Sequence, residues 1–157
     1  MGWCGAAGFL ALAMMGTAAG AACAPDTVEL RWTGGSARFS VELAVSAAER
    51  EKGLMNRSHL ASSAGMLFVY QAPQHAYFWM KDTLIPLDMV FADASGTVTR
   101  VHSNAVPQDL TPIDGGEGVV YVLEINGGLA ARLGLAEGAE LRAAALDQAK
   151  AAWPCAE

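Results

Sequence analysis

Apolar and polar residues alternate along several short stretches of this chain, which is the pattern of half-buried β-strands. The clearest stretch runs from Arg38 to Val45, where every second residue is apolar. Other stretches alternate more briefly or are apolar and aromatic enough for buried strands. They predict strands at residues 28–32, 66–70, 76–81, 87–92, 97–102, 119–125 and 139–143.

Two short helices interrupt this strand pattern. Ser46 stands three residues before Glu49, the spacing of a capping box, and predicts a helix that runs to about Met55. A second helical stretch covers residues 127–133 and is closed by Gly134. Its glycines do not form a phosphate-loop fingerprint, so a dinucleotide site is disfavoured.

The connections between strands are mostly short. Asp93–Gly96 predicts a hairpin turn. The longest predicted loop is Ser103–Gly118, which is rich in Pro, Gly and Asp, and loops of that length are often functional lids. Many short strands and two short helices predict an α+β domain dominated by an antiparallel sheet of open or barrel-like shape.

The first residues of the chain are apolar or small and carry no charged side chain before Asp26. A short apolar run that ends in small residues predicts a secretory signal peptide at residues 1–22, with one mature domain at 23–157. The alternatives are a membrane anchor, for which the run is short, and a lipoprotein signal that ends at Cys23. We therefore expect a periplasmic or secreted protein that has no membrane contact after processing unless Cys23 is lipidated.

Removal of the signal leaves Cys23 and Cys155, near the two ends of the mature chain. An even pair in an oxidising compartment suggests a disulfide. Closing so long a loop stabilises a protein by roughly 4 kcal/mol in the chain-entropy model. A lipidated Cys23 beside a free Cys155, or two unpaired thiols, are the competing interpretations.

The formal net charge of −6, without a cluster of Lys or Arg, argues against nucleic acid and anionic lipid as partners. The chain contains no nucleophile elbow, and no histidine pair has zinc-ligand spacing. We therefore predict no cofactor and no metal site.

The segment Phe78–Phe91 (FWMKDTLIPLDMVF) places charged and polar side chains inside an apolar run. Buried polar groups must find partners or they cost stability. Such residues are therefore either locked in a network or exposed at a pocket. This segment is the best candidate for a site.

Five blocks of the sequence together resemble a known family. The blocks are Gly53–Arg57 (GLMNR), Gly65–Phe68 (GMLF), Phe78–Thr83 (FWMKDT), Pro86–Phe91 (PLDMVF) and Val122–Gly128 (VLEINGG). The order of these blocks and their residue sequences resemble those of the uncharacterised bacterial and archaeal family called domain of unknown function one-nine-two, over residues 41–141. Asp82 stands where this family commonly has Asn. The resemblance implies a mainly β, frequently exported protein, and it implies no reaction.

Six side chains in or near these blocks are candidates for ligand binding because they combine cations, carboxylates and an aromatic face. They are Arg57, Trp79, Lys81, Thr83, Asp88 and Glu124. If they converge, they could hold a small polar or anionic ligand beneath the long loop. The alternative is an internal network in which Asp88 pairs with Arg57 or Lys81 and Glu124 caps a loop.

Two other functions remain open from the sequence. Asp88 and Glu124 could form the acid/base pair of a hydrolase. Four methionines could bind Cu(I), although methionine in apolar strands usually fills core gaps. They are Met55, Met66, Met80 and Met89. Our leading interpretation is an exported, non-enzymatic binding or accessory domain.

Overall fold

A computed structural model describes Met1 and residues 22–156, so most of the predicted signal peptide lies outside the described residues. One seven-stranded sheet is the main element of the described chain. Its strands are β1 (Thr27–Trp32), β2 (Gly35–Ala44), β3 (Ala64–Phe78), β4 (Leu87–Ala92), β5 (Val98–Ala105), β6 (Ile113–Asn126) and β7 (Glu140–Arg142). Two short helices accompany it, α1 (Ala47–Lys52) and α2 (Leu129–Leu133).

The sheet has the strand order β5-β4-β6-β3-β2-β1-β7 and curls into a half-barrel. Its two ends approach each other where Thr97 bridges Glu140 and the amide of Val98 donates to the carbonyl of Ala139 at 2.7 Å. The pairs are antiparallel except β2–β3, which is parallel because α1 carries the chain across between these strands. The predicted α+β, mainly antiparallel fold is confirmed.

Side chains alternate between the two faces of the sheet, and each face carries its own apolar cluster. Val90, Leu123 and Ile125 belong to one cluster, which also packs against β1 and β7. Met89 and Val122, on the same two central strands, belong to the other. The second cluster lies beneath α1 and the β3–β4 connection, and we call it the α1-side cluster.

The capping box predicted at Ser46 is present. The amide of Glu49 donates to Ser46 Oγ at 3.2 Å, and the amide of Ser46 donates to Glu49 Oε2 at 2.8 Å. The helix ends at Lys52, three residues before the predicted end, because Gly53 turns the backbone with a φ of 47°. This turn brings the chain back over the sheet.

The segment around Pro73 differs from the prediction of two separate strands. β3 is continuous over 15 residues and contains the proline within an irregular stretch, where its register against β6 shifts between Val69 and Tyr77. β-Bulges accommodate a proline that an ordinary ladder excludes. Because β3 ends at Phe78, residues 79–86 form the connection to β4 rather than a strand.

The prediction of a long loop at Ser103–Gly118 is wrong. β5 continues to Ala105 and β6 begins at Ile113, so the connection is only residues 106–112. The glycines that suggested a loop lie in the β3–β6 ladder. A Cβ on Gly115 would lie 2.4 Å from ring carbons of Phe91, so this glycine permits close packing against the aromatic ring.

A disulfide joins residues near the two ends of the described range 22–156. Cys23 and Cys155 form a disulfide with a Cα–Cα distance of 5.5 Å, as predicted from the sequence. The ring of Trp153 lies 4.5 Å from the guanidinium carbons of both Arg31 and Arg142. No helix within the described residues has the length and apolar character needed to cross a membrane.

Candidate functional site

Glu124 is a buried acid in the middle of the sheet. It lies on β6 between Met66 of β3 and Met89 of β4, its direct neighbours across the ladders. Its side chain faces the α1-side cluster, and the residue is only 5% exposed. Within residues 22–156, Oε2 has no hydrogen-bond partner, and no basic side chain pairs with this carboxyl. Burial raises the pKa of Glu124 to about 8, so the group is mainly a neutral acid at pH 7.

A small cavity of about 40 Å³ opens above this carboxyl. Its walls come from the last turn of α1 and the turn that follows, from the aromatic end of β3, and from the β3–β4 connection. The lining residues are Arg50, Glu51, Lys52, Gly53, Leu54, Met55, Phe68, Phe78, Trp79, Thr83 and Glu124. We call this space the Glu124 cavity.

The rim of the Glu124 cavity carries two cations from α1. Arg50 is held in place by the sheet, because its guanidinium donates to the carbonyls of Val45 and Val69, the latter at 3.1 Å, and lies 4.9 Å from the centroid of the Tyr70 ring. Lys52 lines the same space. The neutral acid can donate one hydrogen bond and accept another. Glu51 opposes one of the two cations, and the remaining positive charge favours a polar or anionic group.

A second, wider hollow lies on the other side of Trp79. It measures about 490 Å³ and is lined by Trp79, Lys81, Asp82, Gln108 and Leu110. Trp79 is 48% exposed, and the ammonium of Lys81 lies 5.3 Å from the centroid of its ring. We call this space the outer hollow. The indole of Trp79 lines both spaces and therefore stands between them.

Three of the six predicted site residues therefore meet at one place. Trp79, Thr83 and Glu124 line the Glu124 cavity, and Lys81 lines the adjoining outer hollow. Thr83 is buried at 5% exposure, and its hydroxyl donates to the carbonyl of Lys81 at 3.1 Å, which fixes the turn after Trp79.

Asp88 lies outside this group. It pairs with Ile125 across the β4–β6 ladder, and its side chain is on the face opposite Glu124. Its Oδ1 accepts from the amides of Asn104 and Gly128 at 2.6 and 2.7 Å, and its Oδ2 accepts from the amide of Ala130 at 2.6 Å. Asp88 thus joins the end of β5 and the start of α2 to β4.

Arg57 also lies outside the cavity and forms a bidentate pair with Glu42, with Nη2 and Oε2 at 2.6 Å. The predicted internal network between Asp88 and Arg57 or Lys81 is therefore wrong, since backbone amides satisfy Asp88. The acid/base pair is not assembled either, because the sheet separates Asp88 from Glu124.

The four methionines considered as copper ligands do not all lie at one place. Met66, Met80 and Met89 are buried in the α1-side cluster, and Met55 lines the Glu124 cavity. In this setting the first three pack as core residues. In the part of the chain that the structure describes, no group of three or more His, Cys, Asp or Glu side chains is arranged to hold a metal ion.

Sequence reasoning missed the contribution of α1. Arg50, Lys52 and Leu54 were not candidates, although they line the cavity, and neither were Phe68 and Phe78. The capping box located the helix, and the Gly53–Arg57 block marked the turn after it. Neither signal shows that the turn folds back over β3, because this depends on the parallel β2–β3 crossover.

The fold and the site define a class of small β-rich domain, a half-barrel with a buried acid at the floor of a small cavity. Residues 28–143 match the family described as "Uncharacterized ACR", domain of unknown function one-nine-two. The chain belongs to this family. A search of curated proteins finds no match.

Two solved structures show the same fold. A protein of unknown function from Novosphingobium aromaticivorans is 44% identical, with a TM-score of 0.72, over 73% of this chain and 82% of that one. A Sinorhizobium meliloti protein described as a "putative transcription regulator" is 42% identical, with a TM-score of 0.75, over 80% of this chain and 98% of that one.

Proposed function

We propose that this protein is an exported domain that binds a small ligand, and that the Glu124 carboxyl at the floor of the cavity holds a polar or anionic group of that ligand. One observation carries the proposal. Glu124 is buried, its Oε2 has no partner within residues 22–156, and the side chain lines a cavity. A bound ligand would supply the missing hydrogen bond.

The energetic cost of this arrangement supports a role in binding. Burying an acid with a pKa of about 8, against an ordinary value of 4.5, destabilises the folded protein by roughly 3 kcal/mol at pH 7. A leucine at this position would avoid that penalty between Met66 and Met89. Perturbed, buried acids of this kind concentrate at functional sites.

The chemistry of the cavity defines the ligand group. The protonated acid donates to a carbonyl, carboxylate or phosphate oxygen, and the aromatic rings of Phe68 and Phe78 pack against an apolar neighbour of that oxygen. Arg50 and Lys52 outnumber the single carboxylate of Glu51 at the rim, and the net positive charge favours an anion over a cation. A cationic ligand would have to displace the proton from Glu124.

Two features support export. The apolar leader matches a secretory signal. The disulfide between Cys23 and Cys155 fits an oxidising compartment, and a thiol in a disulfide is not available for lipidation. Intact mass of the protein from the periplasm would test cleavage, the disulfide and lipidation together.

The binding proposal is tested by a thermal-shift screen of small carbonyl compounds, carboxylates and phosphates on the mature protein. We expect a hit that Glu124→Gln retains, because the amide still donates, and that Glu124→Leu loses. Glu117→Gln, on the same strand but exposed and outside the cavity, is the matched control. Binding should also weaken as the pH rises through about 8. A hit that binds Glu124→Leu equally well would contradict the proposal, as would a screen without any hit.

A further inference from the structure

Trp79 connects two spaces that differ in size and chemistry. On one side, the Glu124 cavity is narrow, with charged side chains from α1 at its rim, the rings of Phe68 and Phe78 in its wall and the buried Glu124 at its floor. On the other side, the outer hollow is about twelve times larger by volume, about 490 Å³ against about 40 Å³, and it has a polar rim. A ligand that uses both needs a small head and a larger, flat, polar body.

The outer hollow has the chemistry of a sugar site. The half-exposed indole of Trp79 offers a flat apolar surface, and Leu110 adds an apolar side wall. Lys81 provides hydrogen-bond donors, Asp82 provides acceptors, and the amide of Gln108 provides both. A pyranose ring presents an apolar C–H face framed by hydroxyl groups that donate and accept, which matches this set.

The Glu124 cavity limits the head group. A volume of about 40 Å³ holds about three water-sized groups. An acetyl group has three heavy atoms, with a carbonyl oxygen that accepts a hydrogen bond and a methyl group that packs on aromatic rings. The protonated Glu124 would donate to the carbonyl, and Phe68 and Phe78 would surround the methyl group.

We propose that the two spaces form one composite site for an N-acylated amino sugar, with the acyl group in the Glu124 cavity and the sugar ring on the outer face of Trp79. This inference rests on the proposed function, because it assigns the ligand of the same carboxyl. The ammonium of Lys81, which lies over the indole, moves to the rim and donates to a hydroxyl group when the sugar binds. Displacing an exposed cation–π contact of this kind is a modest change.

The inference is tested by calorimetric titration of the mature protein with N-acetylglucosamine, glucosamine, glucose and acetamide. We expect N-acetylglucosamine to bind, and glucosamine and glucose to bind at least tenfold more weakly because they lack the acyl group. Trp79→Ala and Glu124→Leu should each weaken binding at least tenfold. Tyr77→Ala is the matched control, because Tyr77 is an exposed aromatic residue two positions away that lines neither space and should leave binding unchanged.

The outcomes separate this inference from the proposed function. If the acetylated sugar does not bind, or binds no better than glucosamine, the composite site is wrong. If acetamide or a carboxylate still binds in a Glu124-dependent manner in that case, the proposed function stands. Sugar binding that survives Trp79→Ala also overturns the inference. Thermal unfolding of each variant establishes that a loss of binding does not reflect loss of the fold.

Discussion

Asp88 and Glu124 lie one register step apart on neighbouring strands, β4 and β6, and point to opposite faces of the sheet. Asp88 accepts three backbone amides, whereas Oε2 of Glu124 has no partner among the described residues. Both are buried acids, but their surroundings give them different roles. Asp88 supports the fold, and Glu124 is the group to which we propose that a ligand binds.

The first prediction concerns the pH dependence of stability that Glu124 produces. Its pKa is about 8 in the folded protein and ordinary, near 4.5, in the unfolded chain. The unfolded state therefore loses this proton first, and the contribution of Glu124 to stability falls as pH rises from about 4.5 to 8, then stays level. The whole fall is roughly 5 kcal/mol. Urea unfolding at pH 5, 7 and 9 measures it.

Glu124→Gln and Glu124→Leu should remove this fall, and Glu124→Leu should be more stable than the wild type at pH 9. Glu137→Gln, at an exposed position in the turn before β7, should retain it. A wild type and a Glu124→Leu variant with parallel pH profiles would show that the carboxyl is not buried as the structure has it.

The second prediction concerns Asp88. Asp88→Ala removes the acceptor of the amides of Asn104, Gly128 and Ala130, and each unsatisfied buried donor costs about 1–3 kcal/mol. We expect the free energy of unfolding to fall by about 3–5 kcal/mol. Asp26→Ala, at an exposed position, should change it by less than about 0.5 kcal/mol. A similarly small effect of Asp88→Ala would contradict the assigned role.

The third prediction concerns the disulfide. It links residues 132 positions apart, so opening it enlarges the conformational freedom of the unfolded chain. The double variant Cys23→Ser and Cys155→Ser should lose up to about 4 kcal/mol of stability in urea. A reducing agent should produce the same loss in the wild type and none in the variant. Equal stability of the oxidised wild type and the variant would contradict this prediction.

The fourth prediction concerns His75, which lies between two carboxylates at the other end of β3 and β6. Its Nε2 is 2.8 Å from Asp114 Oδ1, and its Nδ1 is 2.7 Å from Glu117 Oε1. The hydrogen bond to Asp114, and then that to Glu117, raises the pKa of His75. The stabilisation is thus complete below the ordinary histidine pKa, near 6.5, and is lost as pH rises through the raised value.

Because Glu124 changes stability in the same direction, this effect is measured in the Glu124→Gln background. NMR titration of the His75 ring should give a pKa above the ordinary value, and Asp114→Asn should lower it. An unshifted titration in the protein with Asp114 intact would show that the ion pair does not form in solution.

Local features of the fold were predictable from the sequence. The hydroxyl of Ser46 and the carboxyl of Glu49 act within three residues of each other, so their spacing alone identified the start of α1. The clearest strand followed from the period of two, and the many short strands with two short helices identified the α+β class. Pro73 suggested a break between two strands, but it lies in an irregular stretch of β3. Gly115 suggested a loop, but it lies in a strand and allows close packing against Phe91. Both geometries depend on neighbouring strands.

The candidate site was predictable only in part. The apolar setting of Trp79 and Thr83 indicated the segment that lines the Glu124 cavity, and Glu124 stood out as an acid within a strong strand. The rim formed by Arg50 and Lys52 was not predictable, because it depends on the crossover that returns α1 over β3.

The sequence by itself thus determined most of the strands, the first helix cap and the family, because these depend on residues close together along the chain. The tertiary structure decided what each buried acid does. Asp88 is satisfied by amides 16 and 42 positions away, and Glu124 is placed between two methionines by strand register. Contacts across such separations arise from folding, and local patterns do not encode them.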